Sequence, residues 1–200
     1  MLTLTDIAAD PLRLTRRLEA HDGSDIVFRP LTQADTGCLA DFLDALSSES
    51  RRLSTFDGYD LATARKMCDA IARYDKLRLV LADVVSARII GLVEFSLALT
   101  SGDIARYQEA GVRLAERSDC RFGPTPADAY QGRGIGTLIF PLVTEVARLL
   151  GRSRITLWAV DDPPAGLRGY QHRGAGSSIR QGRPGSVKQS RRRHAQARTL

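Results

Sequence analysis

A glycine-rich segment lies directly before a predicted long apolar helix, and its residue types and spacing are the strongest indication of a functional site in this sequence. Its members are Gln131, Gly132, Arg133, Gly134, Ile135, Gly136 and Thr137. Glycines let a backbone turn tightly and approach a ligand without a Cβ in the way. A helix that starts there would present unpaired N–H groups and the positive end of its dipole, and the arginine would add a charge-assisted contact. The segment therefore predicts a site for a phosphate or pyrophosphate.

The spacing of these glycines excludes two familiar phosphate-binding motifs. The glycines fall as G-x-G-x-G at positions 132, 134 and 136, whereas a dinucleotide fingerprint requires G-x-G-x-x-G. A P-loop ends in Gly-Lys-Ser/Thr, and no lysine follows Gly136. A glycine-rich turn that merely connects a strand to a helix is the alternative interpretation.

The hydrophobic pattern around this segment predicts the elements that must position it. Apolar runs predict four strands, at residues 26–31, 77–82, 89–99 and 154–160. Helical spacing predicts three helices, which start near Thr32 or Asp35, at Leu61 and at Ile135. Residues 120–130 occupy the position of a further strand, but Pro124 and Pro126 remove ladder N–H groups and argue against an ordinary central strand. The order predicts an α+β or α/β domain.

Taken together, these features resemble the GNAT acetyltransferases. Residues 131–136 are similar to the Q/R-x-x-G-x-G/A signature at the start of the helix that holds the acyl-CoA pyrophosphate in that family. Residues 25–35 resemble the first strand of the family and the beginning of its first helix. Residues 46–56 resemble an LSxESRxxRF segment of a bacterial subgroup, and residues 89–95 resemble a strand with an early glycine. The resemblance covers residues 23–160.

The resemblance implies a GNAT-like acyl-CoA N-acyltransferase fold, a mixed and mostly antiparallel sheet flanked by helices. It also implies an acyltransferase that moves an acetyl group from acetyl-CoA to an amine of a small molecule or a protein, within a ternary complex. Acetyl-CoA is then the expected co-substrate, its pyrophosphate held by residues 131–137. The three cysteines and three histidines are widely spaced, and no metal is expected.

Aminolysis of a thioester needs a deprotonated amine, a polarised carbonyl and a proton donor for the leaving thiolate. The resemblance implies Glu94 as the base, with a solvent-facing strand carboxylate as the alternative. Asp128 is a second candidate, for which a loop or cap role is expected. Tyr170 is the candidate donor to the thiolate, with an exposed tail tyrosine as the alternative. The resemblance also implies that the strand before the glycine-rich segment donates a backbone N–H to the acetyl carbonyl. Because Pro124 and Pro126 have no N–H, that contact is expected to be lost or moved.

Charge divides this chain of 200 residues at position 160. The whole chain has 29 basic and 23 acidic side chains, but residues 1–160 hold 20 and 21 of them, a net charge of −1. We therefore expect an N-terminal extension at 1–22, the acetyltransferase domain at 23–160 and a basic, Gly/Arg-rich tail at 161–200. Residues 176–200 show no strand-forming pattern, so we expect a divergent or truncated C-terminus whose strands are missing or disordered.

Two other functions stay open at this point. One is a catalytically impaired homologue that still binds CoA, and the other is a basic-tailed protein that binds nucleic acid or another partner. The tail has a single aromatic residue, Tyr170, and hence no stacking platform, so nucleic acid is not the expected partner. No apolar stretch reaches the roughly 20 residues of a membrane span. The expected partners are acetyl-CoA and an amine acceptor, in the cytoplasm, with a homodimer left open.

Overall fold

The strands form a single seven-stranded sheet in the computed structural model, in the order of the chain. The structure describes residues 1–54, 56–69, 76–160 and 193–199, with the side chains of 158–160 and 193–199 left out. The strands are β1 (Arg16–Glu19), β2 (Asp25–Pro30), β3 (Lys76–Asp83), β4 (Ile89–Ser96), β5 (Asp119–Pro126), β6 (Arg154–Val160) and β7 (Arg193–Thr199). Every neighbouring pair is antiparallel except β5 and β6, which are parallel. The mixed, mostly antiparallel sheet is therefore confirmed.

One helix precedes β1, and the others occupy connections between the strands. They are α1 (Leu4–Ala9), α2 (Thr36–Asp44), α3 (Ser48–Leu53), α4 (Leu61–Asp69), α5 (Ser101–Glu109) and α6 (Ile135–Leu149). The three helices predicted from apolar spacing correspond to α2, α4 and α6. Helix α6 continues through Pro141, whose carbonyl accepts a hydrogen bond from the Thr144 hydroxyl at 2.7 Å. No helix of the described residues is long and apolar enough to cross a bilayer.

Alternation along the central strands divides the core into two layers. Side chains such as Leu79 of β3 and Phe95 of β4 pack with α6 on one face of the sheet. Neighbouring residues such as Val80 and Leu92 face the opposite layer, formed by α2 and α4. Burial of each large apolar side chain contributes about 1.5–3 kcal/mol, so the two layers hold the sheet between the helices.

The first 22 residues pack against the same core as the rest of the chain. Ile7 of α1 and Leu14 are buried in the α6 layer. Strand β1 pairs with β2, and Arg16 reaches Glu145 of α6 at 3.1 Å. Residues 1–22 thus supply one edge of the sheet through β1, and the β1–β2 turn comes near the start of α6.

Strand β5 runs through both prolines that argue against it in the sequence. The amide of Ala127 donates to the Ile90 carbonyl at 2.9 Å, and Pro126 is the preceding residue in the same ladder. Opposite residues of an antiparallel pair alternate between bonded and non-bonded positions, so Pro124 and Pro126 both fall at non-bonded positions. Their missing N–H groups point away from β4 and cost no bond in that ladder, which is why the strand tolerates them.

The expectation that the C-terminal strands are missing is wrong for residues 193–199. Strand β7 pairs antiparallel with β6 along its whole length, from Arg154 opposite Thr199 to Val160 opposite Arg193. Strand propensity depends strongly on context, and β6 would otherwise present a free edge of N–H and C=O groups. The arginine-rich composition that hides a strand in the sequence is typical of an edge strand, where charged residues discourage further pairing.

Candidate active site

A gap opens in the sheet where the two parallel strands separate. Strands β5 and β6 pair over three residues, from Asp119 opposite Arg154 to Arg121 opposite Thr156. Beyond these positions β5 continues to Pro126 and β6 to Val160 without pairing to each other in the described strands. Among the described residues, the part of β5 beyond Arg121 therefore has no strand partner on its β6 side.

The glycine-rich segment lies at the wide end of this gap. A short 3₁₀ helix, Asp128–Tyr130, follows β5, and α6 begins at Ile135. Gly132 and Gly134 both have φ of 77°, in the left-handed region that favours glycine. Gly134 is the N-cap of α6, so no side chain caps the first turn, and that turn contains no acidic residue. Its N–H groups and the helix dipole suit an anion.

The β1–β2 turn forms a second wall beside this segment. A Cβ at Gly134 would lie 2.9 Å from Cδ2 of His21, so the imidazole packs directly over that glycine. The Arg133 guanidinium lies 3.5 Å from Asp22 and 5.1 Å from the centre of the Tyr130 ring. Arg133 is half exposed and can turn towards an anion. No sequence motif indicates His21 or Asp22, because this proximity is purely tertiary.

Asp128 connects the glycine segment to helix α3. Its carboxylate accepts hydrogen bonds from the Ser47 amide at 2.7 Å and from the Ser47 and Ser50 hydroxyls at 2.8 and 2.6 Å. The Gln131 amide donates to Asp128 at 3.1 Å and to Ser50 at 3.0 Å. Partial burial opposes ionisation of Asp128, but the bonds from Ser50 and Ser47 outweigh it and lower its pKa. Asp128 thus joins the loop after β5 to the start of α3, which agrees with the loop alternative of its expected loop or cap role.

Glu94 is buried in β4 instead of facing solvent, so the solvent-facing alternative is wrong. One carboxylate oxygen accepts from Lys76 Nζ at 3.0 Å and the other from Arg78 Nε at 2.8 Å. Burial opposes ionisation, but the charges of Arg78 and Lys76 outweigh it and lower the pKa of Glu94. The carboxylate is therefore a weak base that two cations already occupy.

Open space lies beside Glu94 on the same face of the sheet. Glu94 is paired with Gly123 of β5, and a Cβ at Gly123 would meet no atom within 4 Å. Strand β5 lies between Glu94 and the gap. Among the described residues, no side chain therefore fills the space beside Glu94 at the position of Gly123.

The remaining site predictions concern Tyr170 and metals. Tyr170 lies outside the described residues, so its role stays a prediction. Within the described ranges, no cluster of three or more histidine, cysteine or carboxylate side chains could hold a metal ion. The glycine segment, residues 131–137, lies next to Asp128, to which Gln131 is bonded. Glu94 is not part of this group, because it lies in β4.

The sequence matches no protein-family model and no curated protein. The structure, by contrast, is similar to several solved structures. The GNAT domain of PAT from S. lividans has a TM-score of 0.65 at 18% identity, over 95% of this chain and 99% of that one. RimJ from Mycobacterium smegmatis, in complex with CoA-disulfide, has a TM-score of 0.63 at 14% identity, over 92% and 86%. The spermidine/spermine N-acetyltransferase SpeG from Vibrio cholerae has a TM-score of 0.56 at 14% identity, over 87% and 92%.

Proposed function

We propose that this chain, which has the fold of the GNAT acetyltransferases, transfers an acetyl group from acetyl-CoA to an amine of a small molecule or a protein. The observation that carries the proposal is the position of the glycine-rich turn. It starts α6 at the wide end of the gap between β5 and β6. A phosphate held at this turn would place an attached thioester arm along the edge of β5 that faces the gap.

In this proposal residues 131–137 hold the pyrophosphate of acetyl-CoA, mainly through backbone N–H groups of the first turn of α6. The left-handed Gly132 and Gly134 suit that role, since a backbone without Cβ atoms can approach a phosphate closely. Arg133 supplies a charge once it leaves Asp22. The Gln131 side chain is already bonded to Ser50 and Asp128, so its contribution is to shape the turn.

The edge of β5 that faces the gap would determine how the thioester is polarised. Pro124 and Pro126 contribute carbonyls but no N–H groups to that edge. These carbonyls can accept hydrogen bonds from the amides of a CoA arm. They cannot stabilise the oxyanion that forms on the thioester carbonyl, so the donor for that oxygen must lie elsewhere along the gap.

We assign the acceptor amine to the open space beside Gly123, with Glu94 as the proton acceptor through water and Tyr170 as the donor to the thiolate. Since Glu94 is a weak base, the fraction of amine that is deprotonated is set mainly by the pKa of the amine and the pH of the solution. The rate should then rise with pH towards the pKa of the acceptor amine. A rising limb below neutral pH would instead indicate a stronger protein base.

Acetyl-CoA binding and thiol release test the proposal together. A ligand that binds only the folded state stabilises it by about 2.7 kcal/mol at 100 times its Kd, so acetyl-CoA should raise the melting temperature. Replacing both Gly134 and Gly136 with valine should abolish that rise. Gly111→Val is the matched control, because Gly111 is also left-handed (φ 75°) and follows α5, away from the gap. An unchanged rise in the double variant would overturn the site.

A panel of amines, with free thiol measured after mixing with acetyl-CoA, then separates an active enzyme from an impaired one. Amine-dependent thiol release supports acetyl transfer. Stabilisation by acetyl-CoA without release for any amine would favour the impaired CoA-binding homologue. The prolines of β5 are the specific observation behind that second candidate, because they remove donors from the edge that faces the thioester.

A further inference from the structure

We propose that Asp128 is a positioning residue that couples the glycine segment to helix α3, so that cofactor binding also sets the position of the α3 unit. The α3 unit comprises residues 47–54 together with Tyr59. The proposal rests on the proposed function for the identity of the ligand. The mechanical link itself rests on contacts present in the ligand-free protein.

The link consists of hydrogen bonds that converge on one carboxylate. Asp128 Oδ2 accepts from the Ser47 amide, and Oδ1 accepts from the Ser47 and Ser50 hydroxyls, all at 2.6–2.8 Å. Gln131, the first residue of the glycine segment, donates to both Asp128 and Ser50. Bonds to an ionised acceptor are shorter and about twice as strong as neutral ones. Residues about 80 positions apart thus meet at a single group.

Helix α3 does not need Asp128 to cap itself. The Ser47 hydroxyl already accepts from the Ser50 amide at 3.2 Å, which is the ordinary cap of the first turn. Helix α3 has only six residues, and isolated helices of that length are unstable in water. Its position must therefore come from tertiary contacts, and at its N-terminal end those contacts lead to the glycine segment.

The other end of α3 is held within its own part of the chain. The Arg51 side chain donates to the carbonyls of Leu46 and Asp44 at 2.9 and 2.5 Å and lies 4.8 Å from the Tyr59 ring centre. The Tyr59 hydroxyl donates to the Arg51 carbonyl at 2.7 Å. The Tyr59 bond holds the α3 unit together, the Arg51 bonds attach it to the end of α2, and Asp128 attaches it to the glycine segment.

A ligand that orders the glycine segment would consequently order α3 as well. If a pyrophosphate fixes the turn at Gly132 and Gly134, it fixes Gln131 and Asp128, which flank that turn, and through them Ser47 and Ser50. Coupling between two sites is reciprocal, and typical values correspond to about 5–150-fold in affinity. Anything that binds against the α3 unit should then bind more tightly when acetyl-CoA is present.

Hydrogen exchange of the full chain, with and without CoA as the probe, tests the coupling directly. In the wild type, CoA should slow exchange both at residues 132–137 and at residues 48–53. In Asp128→Ala, CoA should still slow exchange at residues 132–137 but no longer at residues 48–53. Protection of residues 48–53 by CoA in Asp128→Ala would overturn the proposal, as would its absence in the wild type when residues 132–137 are protected.

Asp60→Ala is the matched control, because the Asp60 carboxylate also accepts an amide hydrogen bond at the start of a helix, from Thr63 at 2.8 Å. It should loosen the start of α4 and leave the CoA effect on residues 48–53 intact.

If Asp128→Ala fails to fold, a second variant is the double substitution Ser47→Ala, Ser50→Ala. It removes the hydroxyl bonds to Asp128, while the bond between Gln131 and Asp128 remains. Because the Ser47 amide still donates to Asp128 in this double variant, the CoA effect on residues 48–53 should be weakened, and an undiminished effect would overturn the proposal.

The ligand-free measurement separates this inference from the proposed function. Without CoA, Asp128→Ala should speed exchange at residues 48–53 at least fivefold more than Asp60→Ala does. Equal exchange in the two variants would refute the link whatever the ligand is. Failure of CoA to protect any part of the wild type would refute the proposed function instead, even with the ligand-free difference present.

Discussion

Replacing Glu94 with glutamine should destabilise the fold strongly, because it leaves two cations beside a buried neutral group. Glu94 is 7% exposed, and the Arg78 side chain that bonds to it is 11% exposed. Glutamine has nearly the same shape and keeps one oxygen that can accept from Arg78. The variant therefore removes the charge with little change in packing.

The expected loss follows from the burial of the three partners. Removing one partner of a buried ion pair costs about 3–5 kcal/mol. The Lys76 side chain is 41% exposed, so solvent screens its share to about 1 kcal/mol or less. The retained hydrogen bond to Arg78 reduces the cost further. We expect a loss of about 3 kcal/mol, which for a chain of this size lowers the melting temperature by about 6–12 °C.

The dependence of this loss on pH identifies its cause. The pKa of Glu94 in the folded protein lies below its ordinary value. The carboxylate therefore stabilises the fold fully above that ordinary value of about 4.3, and the stabilisation is lost as pH falls through the lowered pKa. The difference between wild type and Glu94→Gln should thus be constant near neutral pH and shrink below about pH 4.

Thermal and urea unfolding of both proteins between pH 3 and pH 8 measure this difference. Glu145→Gln is the matched control, because Glu145 pairs with Arg16 at 3.1 Å in an exposed position and should cost less than about 1 kcal/mol. A loss in Glu94→Gln no larger than in Glu145→Gln would refute the reasoning. So would a difference that persists unchanged down to pH 3.

Three further outcomes follow from the described contacts. Gly134→Ala should lose about 1–2 kcal/mol in thermal unfolding from its left-handed backbone alone, and adding His21→Ala should relieve only the new Cβ contact. Iodoacetamide at pH 8 should give a single adduct on the native chain by mass spectrometry, at the exposed Cys38, because burial raises the pKa of Cys120 to about 12; labelling of Cys120 before unfolding would contradict this. Pro124→Ala should change the free energy of unfolding by less than about 1 kcal/mol, since no ladder bond is affected. It should also speed thiol release, because the new backbone N–H at position 124 adds a donor to the gap. A slower reaction would contradict the direction assigned to that N–H.

Local patterns predicted most of the elements that position the site. The spacing of Leu39, Phe42 and Leu43 identifies α2, and the apolar run at residues 89–96 identifies β4, whose residues are all buried. The glycine-rich segment and the helix after it were found from residue types alone. These features could be predicted because periodicity and backbone freedom are properties of neighbouring residues.

Other features depend on residues that are distant in the chain. Strand β7 is hidden by its arginine-rich composition, and β5 by Pro124 and Pro126, because both strands form against edges that the rest of the sheet provides. Strand formation is decided by the partner that a segment meets more than by its own propensity. A pattern read along one segment contains no information about that partner.

The sequence by itself determined the order of four strands and three helices, the glycine segment and the resemblance to the GNAT acetyltransferases. Only the tertiary structure decided that Glu94 is held by Lys76 and Arg78, and that Asp128 joins the glycine segment to α3. Glu94 and Asp128 are both carboxylates on or next to a strand, so their residue types do not separate a base from a cap. Burial, neighbouring charge and the number of donors in reach separate them, and these are set by folding.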